Sequence, residues 1–297
     1  QCPFRFFGRY LLGLREPDEA EEVVTPRLRG VLWHGALERA VRDALGRLRS
    51  DGILDANGRA STGDVDAALR DATLRLLPAA FAATERAEGV PDTPAWRRVR
   101  GGELRALERL VRAEDFVRPG RVPIELERRF RGAWRGLRVS GVVDRIDAGP
   151  DGIELIDYKS GASRPKGARR ASGRGWIDVQ LPLYLEVAAP EAAPSARPLG
   201  ARYLSVRAAA TLATVEPGAD GEALDELASR VADRLGAGAY PVAPDERREV
   251  CRLCDLASVC RVGPRVDRKR DAAEAGEAEA GATGTRAGDG PGAAGDG

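Results

Sequence analysis

The stretch Val142-Val143-Asp144-Arg145-Ile146-Asp147, the turn Gly149-Pro150-Asp151-Gly152 and the run Ile153-Glu154-Leu155-Ile156-Asp157-Tyr158-Lys159-Ser160-Gly161 constrain this chain more than any other segment. Both runs are rich in β-branched residues and the sequence between them is a turn signal, so the segment reads as a hairpin. Residues i and i+2 of a strand share a face. Asp157 and Lys159 therefore point the same way, and the bend brings Asp144 alongside them. Two acids and a lysine at the end of a sheet can hold a divalent cation beside a phosphate. Taken alone, the same three residues also fit a salt-bridged sheet edge, so their neighbours must decide.

The segment before the hairpin is helical in pattern. An aromatic stretch from Phe4 reads as a short helix that an acidic loop at 16–22 ends. Thr25 and Pro26 form an N-cap and first-turn pair, opening a helix to about Arg49. A stripe of Val31, His34, Val41, Leu45 and Leu48 places the sole histidine on its inward face. After a polar loop at 51–63 comes a helix over 64–87, which Pro78 is expected to kink or divide. Thr93-Pro94 repeats the cap signal and starts a third helix toward Phe116, so residues 26–118 are mostly helical.

At Arg121 the apolar period changes to two: Val122, Ile124, Leu126 and Phe130, then Leu137, Val139, Gly141 and Val143, then the run from Ile153. These are three successive strands. A basic, Gly-rich loop at 164–174 fits either phosphate contact or simple solvation. A helix over 177–188 carries Gln180 and Tyr184 at i and i+4, on one face, with Pro182 near its first turn. Strands at 202–206 and 211–215 and an amphipathic helix at 222–235 complete the pattern.

The formal net charge is +1, so binding of nucleic acid must come from local patches. All but three of the 47 basic residues are arginines, which gives the lysine at 159 added weight. A compact ammonium fits beside a phosphate and a water where a guanidinium does not. No run approaches the roughly 18 apolar residues of a membrane span, and the reading is a cytoplasmic protein. The lack of methionine and a cysteine at position 2 suggest a fragment of a longer polypeptide. Cys251, Cys254 and Cys260 form a local trio with Cys2 at the far end; disulfides are disfavoured in such a compartment, and a zinc site is one alternative. Residues 263–297, rich in Ala, Gly and acidic residues, read as a disordered tail.

Gly30-x-x-x-His34, Gly141-Val142-Val143-Asp144-Arg145-Ile146-Asp147, Asp157-Tyr158-Lys159-Ser160-Gly161 and Gln180-Leu181-Pro182-Leu183-Tyr184 stand in one order along the chain. This set resembles the PD-(D/E)XK nuclease superfamily, in particular the RecB-like exonuclease domains of bacterial helicase-nucleases such as AddB. The resemblance implies an α/β restriction-endonuclease-like core, a central mixed sheet flanked by helices, with a helical insertion. It implies a nuclease domain over 1–262, comprising a mostly helical part (26–118), a catalytic core (121–240) and a cysteine loop (241–262).

By the same resemblance, His34, Asp144, Asp157 and the Tyr158 backbone carbonyl would ligate Mg²⁺ or Mn²⁺, and Lys159 would orient or deprotonate the attacking water. Gln180 and Tyr184 would hold the DNA strand or support those residues. Cys2, Cys251, Cys254 and Cys260 match the [4Fe-4S] pattern of AddB-like members. Such a cluster would staple the N- and C-terminal segments; the chain-entropy model for a loop of about 250 residues gives on the order of 5 kcal/mol. The implied activity is metal-dependent DNA hydrolysis, exonucleolytic in character, in double-strand break repair with a helicase domain or subunit. Two alternatives are a non-catalytic DNA-binding scaffold of the same fold and a free-standing nuclease of the CRISPR-adaptation type.

Overall fold

The computed structural model describes residues 2–15, 25–55, 58, 64–165, 167–169, 175–242, 251 and 254–260. The acidic loop, most of the basic loop and the C-terminal tail expected above lie outside them. The chain forms two compact units, one of Gln1–Glu19 with Asp233–Gly297 and a larger one of Ala20–Ala232.

The smaller unit starts with α1 (Pro3–Phe6), which runs into a π-helical turn at Phe7–Leu11. In the larger unit, α2 (Pro26–Ser50) is capped as the sequence suggests, with Thr25 Oγ1 accepting from the Leu28 amide at 3.2 Å. Its buried face carries Leu32, Trp33, Leu37, Val41, Leu45 and Leu48, whereas Val31 is 41% exposed. The stripe is therefore rotated from the expected one, because Trp33 and Leu37 offer more apolar area than Val31. The next helix, α3 (Val65–Ala87), passes through Pro78 undivided. Losing one backbone bond to proline costs about 3 kcal/mol, and fully buried Leu77 and Phe81 on either side hold the helix together. Thr93 caps α4 (Pro94–Arg112), accepting from the Trp96 amide at 3.1 Å, and a 3₁₀ turn follows at Glu114–Phe116.

The strands β1 (Val122–Trp134), β2 (Leu137–Gly149) and β3 (Gly152–Lys159) form an antiparallel meander. Arg135 and Gly136 both have positive φ, as a two-residue hairpin requires. Gly149 pairs with Gly152 across the second turn. A bulge between Pro123 and Glu125 resets the alternation of β1, leaving Ile124 40% exposed where a plain period of two would bury it. A small ribbon of β4 (Ala168–Arg169) and β5 (Trp176–Ile177) precedes α5 (Gln180–Leu183), a π turn at Tyr184–Ala188 and α6 (Ala189–Ala192). This helix thus begins at Gln180; Ile177 belongs to a strand.

Then come β6 (Pro198–Ser205), β7 (Ala210–Val215) and α7 (Gly221–Gly236). The sheet order is β1-β2-β3-β6-β7, with β3 and β6 parallel and the other pairs antiparallel. One face buries Ile156, Tyr158, Leu204 and Val206 against α2, α3 and α4. The other buries Ile153, Leu155 and Tyr203 against Leu181, Leu185 and Leu224. A mixed sheet flanked by helices is the core that the motifs imply.

The smaller unit closes with α8 (Ala257–Cys260). Its two chain segments pack together: Phe7 stacks on Tyr240 at 5.1 Å, the Phe4 amide donates to the Pro241 carbonyl at 3.2 Å, and Asp255 lies 3.4 Å from Arg5 and 3.5 Å from Arg9. Cys2 is buried; Cys251, Cys254 and Cys260 are half-buried, and none of the four is in a disulfide. No helix among the described residues is long and apolar enough to cross a membrane.

Candidate active site

The β2–β3 ladder ends at the pair Arg145–Ile156. One residue further, the same register would set Asp144 directly opposite Asp157, and two like charges facing each other across strands repel. The strands part there, and Asp144 Oδ2 takes over the sheet's role by accepting the Tyr158 amide at 2.6 Å. Both acids are nearly buried. The notch between them is formed by sheet geometry and like charge together.

Two faces supply the rest of the site. From α2, His34 Nδ1 lies 3.3 Å from Asp144 Oδ1, and the His34 ring meets Tyr158 edge-on at 5.9 Å. On the opposite face, Asp157 and Lys159 share a side as the strand period requires, with Lys159 Nζ 2.6 Å from Asp157 Oδ2. Gln180 links them, its Nε2 donating to Asp157 Oδ1 at 2.7 Å and its Oε1 accepting from Lys159 at 2.9 Å. The Tyr184 hydroxyl lies 2.9 Å from Asp157 Oδ1 and 2.7 Å from the Val142 carbonyl; its single proton serves one of them at a time. The structure thus brings His34, Asp144, Asp157, Tyr158, Lys159, Gln180 and Tyr184 to one end of the sheet. Gln180 and Tyr184 act here on Asp157 and Lys159.

Three residues at this end carry no motif signal in the sequence. Glu127 on β1 forms, with His34 and Asp144, a group whose ligand atoms lie within 4.8 Å of one another. Glu127 has φ 50°, unusual for a residue with a side chain inside a strand, and nothing in the alternation of β1 marks it. Tyr203 on β6, the partner of Asp157 in the parallel ladder, lies beneath Lys159 Nζ, 4.8 Å from its ring centre. Its hydroxyl is 3.0 Å from Asp178 Oδ1, which also accepts the Leu181 amide at 3.0 Å. An acid just before an amphipathic helix is a cap signal, so Asp178 was findable; Tyr203 in an apolar strand was not.

The charges at this end strain against one another. Burial and the charge of Asp144 push the Asp157 carboxyl above its ordinary value, against the pull of Lys159 and the Tyr184 hydrogen bond. Burial, then Asp144, lifts Glu127 to about 7, with His34 opposing. Burial lowers the His34 pKa, but the hydrogen bond and charge of Asp144, with Asp157 and Glu127 behind it, outweigh burial and leave it raised. Glu127 and Asp144 with the His34 imidazole form an N/O donor set that fits a hard divalent cation, with the Asp157 charge beside it, and a bound cation would relieve the mutual repulsion of the three acids. Asp147, the other acid of the Gly141–Asp147 motif, is no part of this. It is fully buried and chelated by Arg145, with Nε–Oδ1 and Nη2–Oδ2 both at 2.7 Å; Arg145 also donates to the Tyr158 hydroxyl and the Phe116 carbonyl.

A family model, a curated protein and a solved structure show what the chain is similar to. A family model described as the PD-(D/E)XK nuclease superfamily matches residues 1–261. The chain is 30% identical over 229 residues to one subunit of the ATP-dependent helicase/deoxyribonuclease of Moorella thermoacetica. That match covers 69% of this chain and 18% of the relative, so the chain spans about a fifth of the relative's length. A solved structure of a candidate exonuclease from Eubacterium rectale is 16% identical, with a TM-score of 0.36, covering 87% of this chain and 82% of that one. The latter likeness is too distant to carry any argument.

Proposed function

The chain belongs to the PD-(D/E)XK nuclease superfamily, and from that premise we propose that it is a divalent-metal-dependent deoxyribonuclease. The observation that carries this reading is the convergence of Asp144, Asp157, Lys159 and His34 where the β2–β3 ladder parts. His34, Asp144 and Asp157 would hold Mg²⁺ or Mn²⁺. Within a strand a residue's N–H and C=O point to the same edge, and the Tyr158 amide points to Asp144; its carbonyl thus faces the notch as a further oxygen ligand. When bound, such a cation lowers the pKa of water and clamps phosphoryl oxygens.

The chain's own residues do the rest. Lys159 carries three N–H donors; Gln180 Oε1 takes one and Asp157 Oδ2 lies 2.6 Å away as an ion-pair partner, which leaves the ammonium a donor for a phosphate oxygen or the attacking water. Gln180, bonded to both Asp157 and Lys159, fixes their relative placement. Tyr203 supports the ammonium from below, and Asp178 holds Tyr203.

The finer reading is an exonuclease acting on DNA ends in double-strand break repair, in the cytoplasm, as the nuclease part (1–262) of an assembly with a helicase domain or subunit. The likeness to part of a helicase/deoxyribonuclease supports it. End-labelled DNA incubated with protein and Mg²⁺ tests the activity, with chelator and Asp157→Ala as controls. Metal-dependent product from wild type alone is expected. No product from wild type would favour the scaffold reading.

Cys2, Cys251, Cys254 and Cys260 would hold a [4Fe-4S] cluster; what supports this is four thiols outside any disulfide, in one unit whose N- and C-terminal segments pack side by side. Their role would be to staple that unit. Cys251→Ala should lose visible absorption and melting temperature while DNA cleavage at low temperature persists; a colourless wild type purified without oxygen would replace iron-sulfur with zinc or bare thiols.

A further inference from the structure

Glu127 is the member of the His34–Glu127–Asp144 group that no motif announces. It lies on β1, two strands away from Asp157 and outside the four motifs, yet its carboxylate falls within 4.8 Å of ligand atoms of both His34 and Asp144. The pairing of β1 with β2 is unbroken from Arg128 to Trp134 and again at Glu125 and Leu126, but the Glu127–Asp144 step between them is missing from the ladder. At that step the backbone of Glu127 turns to φ 50°. A side chain there costs about 1–3 kcal/mol unless its surroundings compensate. A structural acid in a sheet finds a basic partner, as Glu154 does in Arg202 and Arg118. The largest electrostatic influences on Glu127 come from Asp144, His34, Glu38 and Asp157, and of these four His34 alone opposes the rest. Such an arrangement repels itself when empty and is complementary to a cation when filled.

Resting on the metal-dependent reading above, we infer that Glu127 is a direct ligand of the divalent cation, supplied by β1 and completing a His34–Glu127–Asp144 set. Asp144 is the shared residue: Oδ2 is held by the Tyr158 amide, leaving Oδ1 on the side of His34. Asp157 has Oδ1 on Gln180 and Tyr184 and Oδ2 against Lys159, so it faces the lysine side of the notch. Glu127 and His34 thus serve the side of Asp144 that Asp157 does not, and the site takes carboxylates from three strands.

The test is Mn²⁺ binding by calorimetry, which needs no turnover, on wild type, Glu127→Gln, Glu127→Cys and Asp144→Asn. Both substitutions at 127 keep a side chain at a backbone geometry the protein already tolerates, and a melting curve reports the fold of each. Glu127→Gln should weaken Mn²⁺ by at least about tenfold, the lower end of what disturbing a metal site costs. Glu127→Cys should shift the ratio of Cd²⁺ to Mn²⁺ affinity toward Cd²⁺ by at least about tenfold over wild type, since only a group bonded to the metal transmits its softness. Wild-type Mn²⁺ affinity in Glu127→Gln overturns the assignment, as does loss of Mn²⁺ in Glu127→Cys with no gain for Cd²⁺. If wild type and all variants fail to take up Mn²⁺, the metal-dependent reading itself falls and this ligand with it. If Asp144→Asn alone loses binding, only the ligand falls.

Discussion

Strand β2 carries two buried acids three residues apart, and they live opposite lives. Asp147 meets Arg145 through two hydrogen bonds, with Tyr158 and Phe116 satisfying the rest of the guanidinium, all fully enclosed. Asp144, at the frayed end of the ladder, meets another acid across the strands, a third from β1 and one imidazole. Nothing in their local sequence separates them, since both are Asp in a β-branched run. The difference is that one charge is cancelled by the fold and the other is left for something the fold does not contain. The first is a device of structure and the second of function.

The largest expected effect breaks the structural side. Asp147→Ala leaves the fully buried Arg145 charge without its carboxylate, and removing one partner of such a pair costs about 3–5 kcal/mol. A urea melt should show that loss. Next comes Lys159→Arg, which keeps the charge but not the compact ammonium between Asp157 and Gln180. Removing one well-placed donor typically costs about 10²–10³ in rate, read from DNA cleavage with an unchanged melt. Full activity in Lys159→Arg would remove the lysine from the chemistry.

The smallest effect concerns pH. Asp157 and Glu127 have folded-state pKa values above their ordinary ones, Glu127 at about 7. A carboxyl raised in this way favours the folded state fully below its ordinary pKa, and that contribution is lost as pH rises through the raised value. The metal-free protein should therefore lose melting temperature from the ordinary carboxylate range toward pH 7, and saturating Mg²⁺ should flatten that slope. Asp147→Ala, once stability is corrected for, should leave the slope in place. A flat profile without metal would mean that the acids do not strain one another.

How much of this was legible follows from which signals are local. The caps at Thr25 and Thr93, the hairpin at Gly149–Gly152 and the shared side of Asp157 and Lys159 depend on adjacent residues, and the structure bears them out. Val31 and Ile124 misled because the face a residue takes depends on larger neighbours and on a bulge, which the period alone does not carry. Pro78 leaves its helix undivided because buried residues on both sides outweigh one lost hydrogen bond. Glu127 was invisible because its placement depends on a left-handed backbone that no Gly or Asn announces. The distinction between Asp144 and Asp147 was equally hidden: it rests on where a ladder ends.

The most direct test of that distinction is one substitution read two ways. Asparagine at 144 can still accept the Tyr158 amide, and its amide can donate to a neutral His34, so Asp144→Asn removes charge while keeping the local bonds. Its urea midpoint without metal and its cleavage of end-labelled DNA with Mg²⁺ should be measured beside Asp147→Ala. The account predicts stability equal to or above wild type with cleavage abolished. Retained cleavage, or a loss of stability matching that of Asp147→Ala, would contradict it.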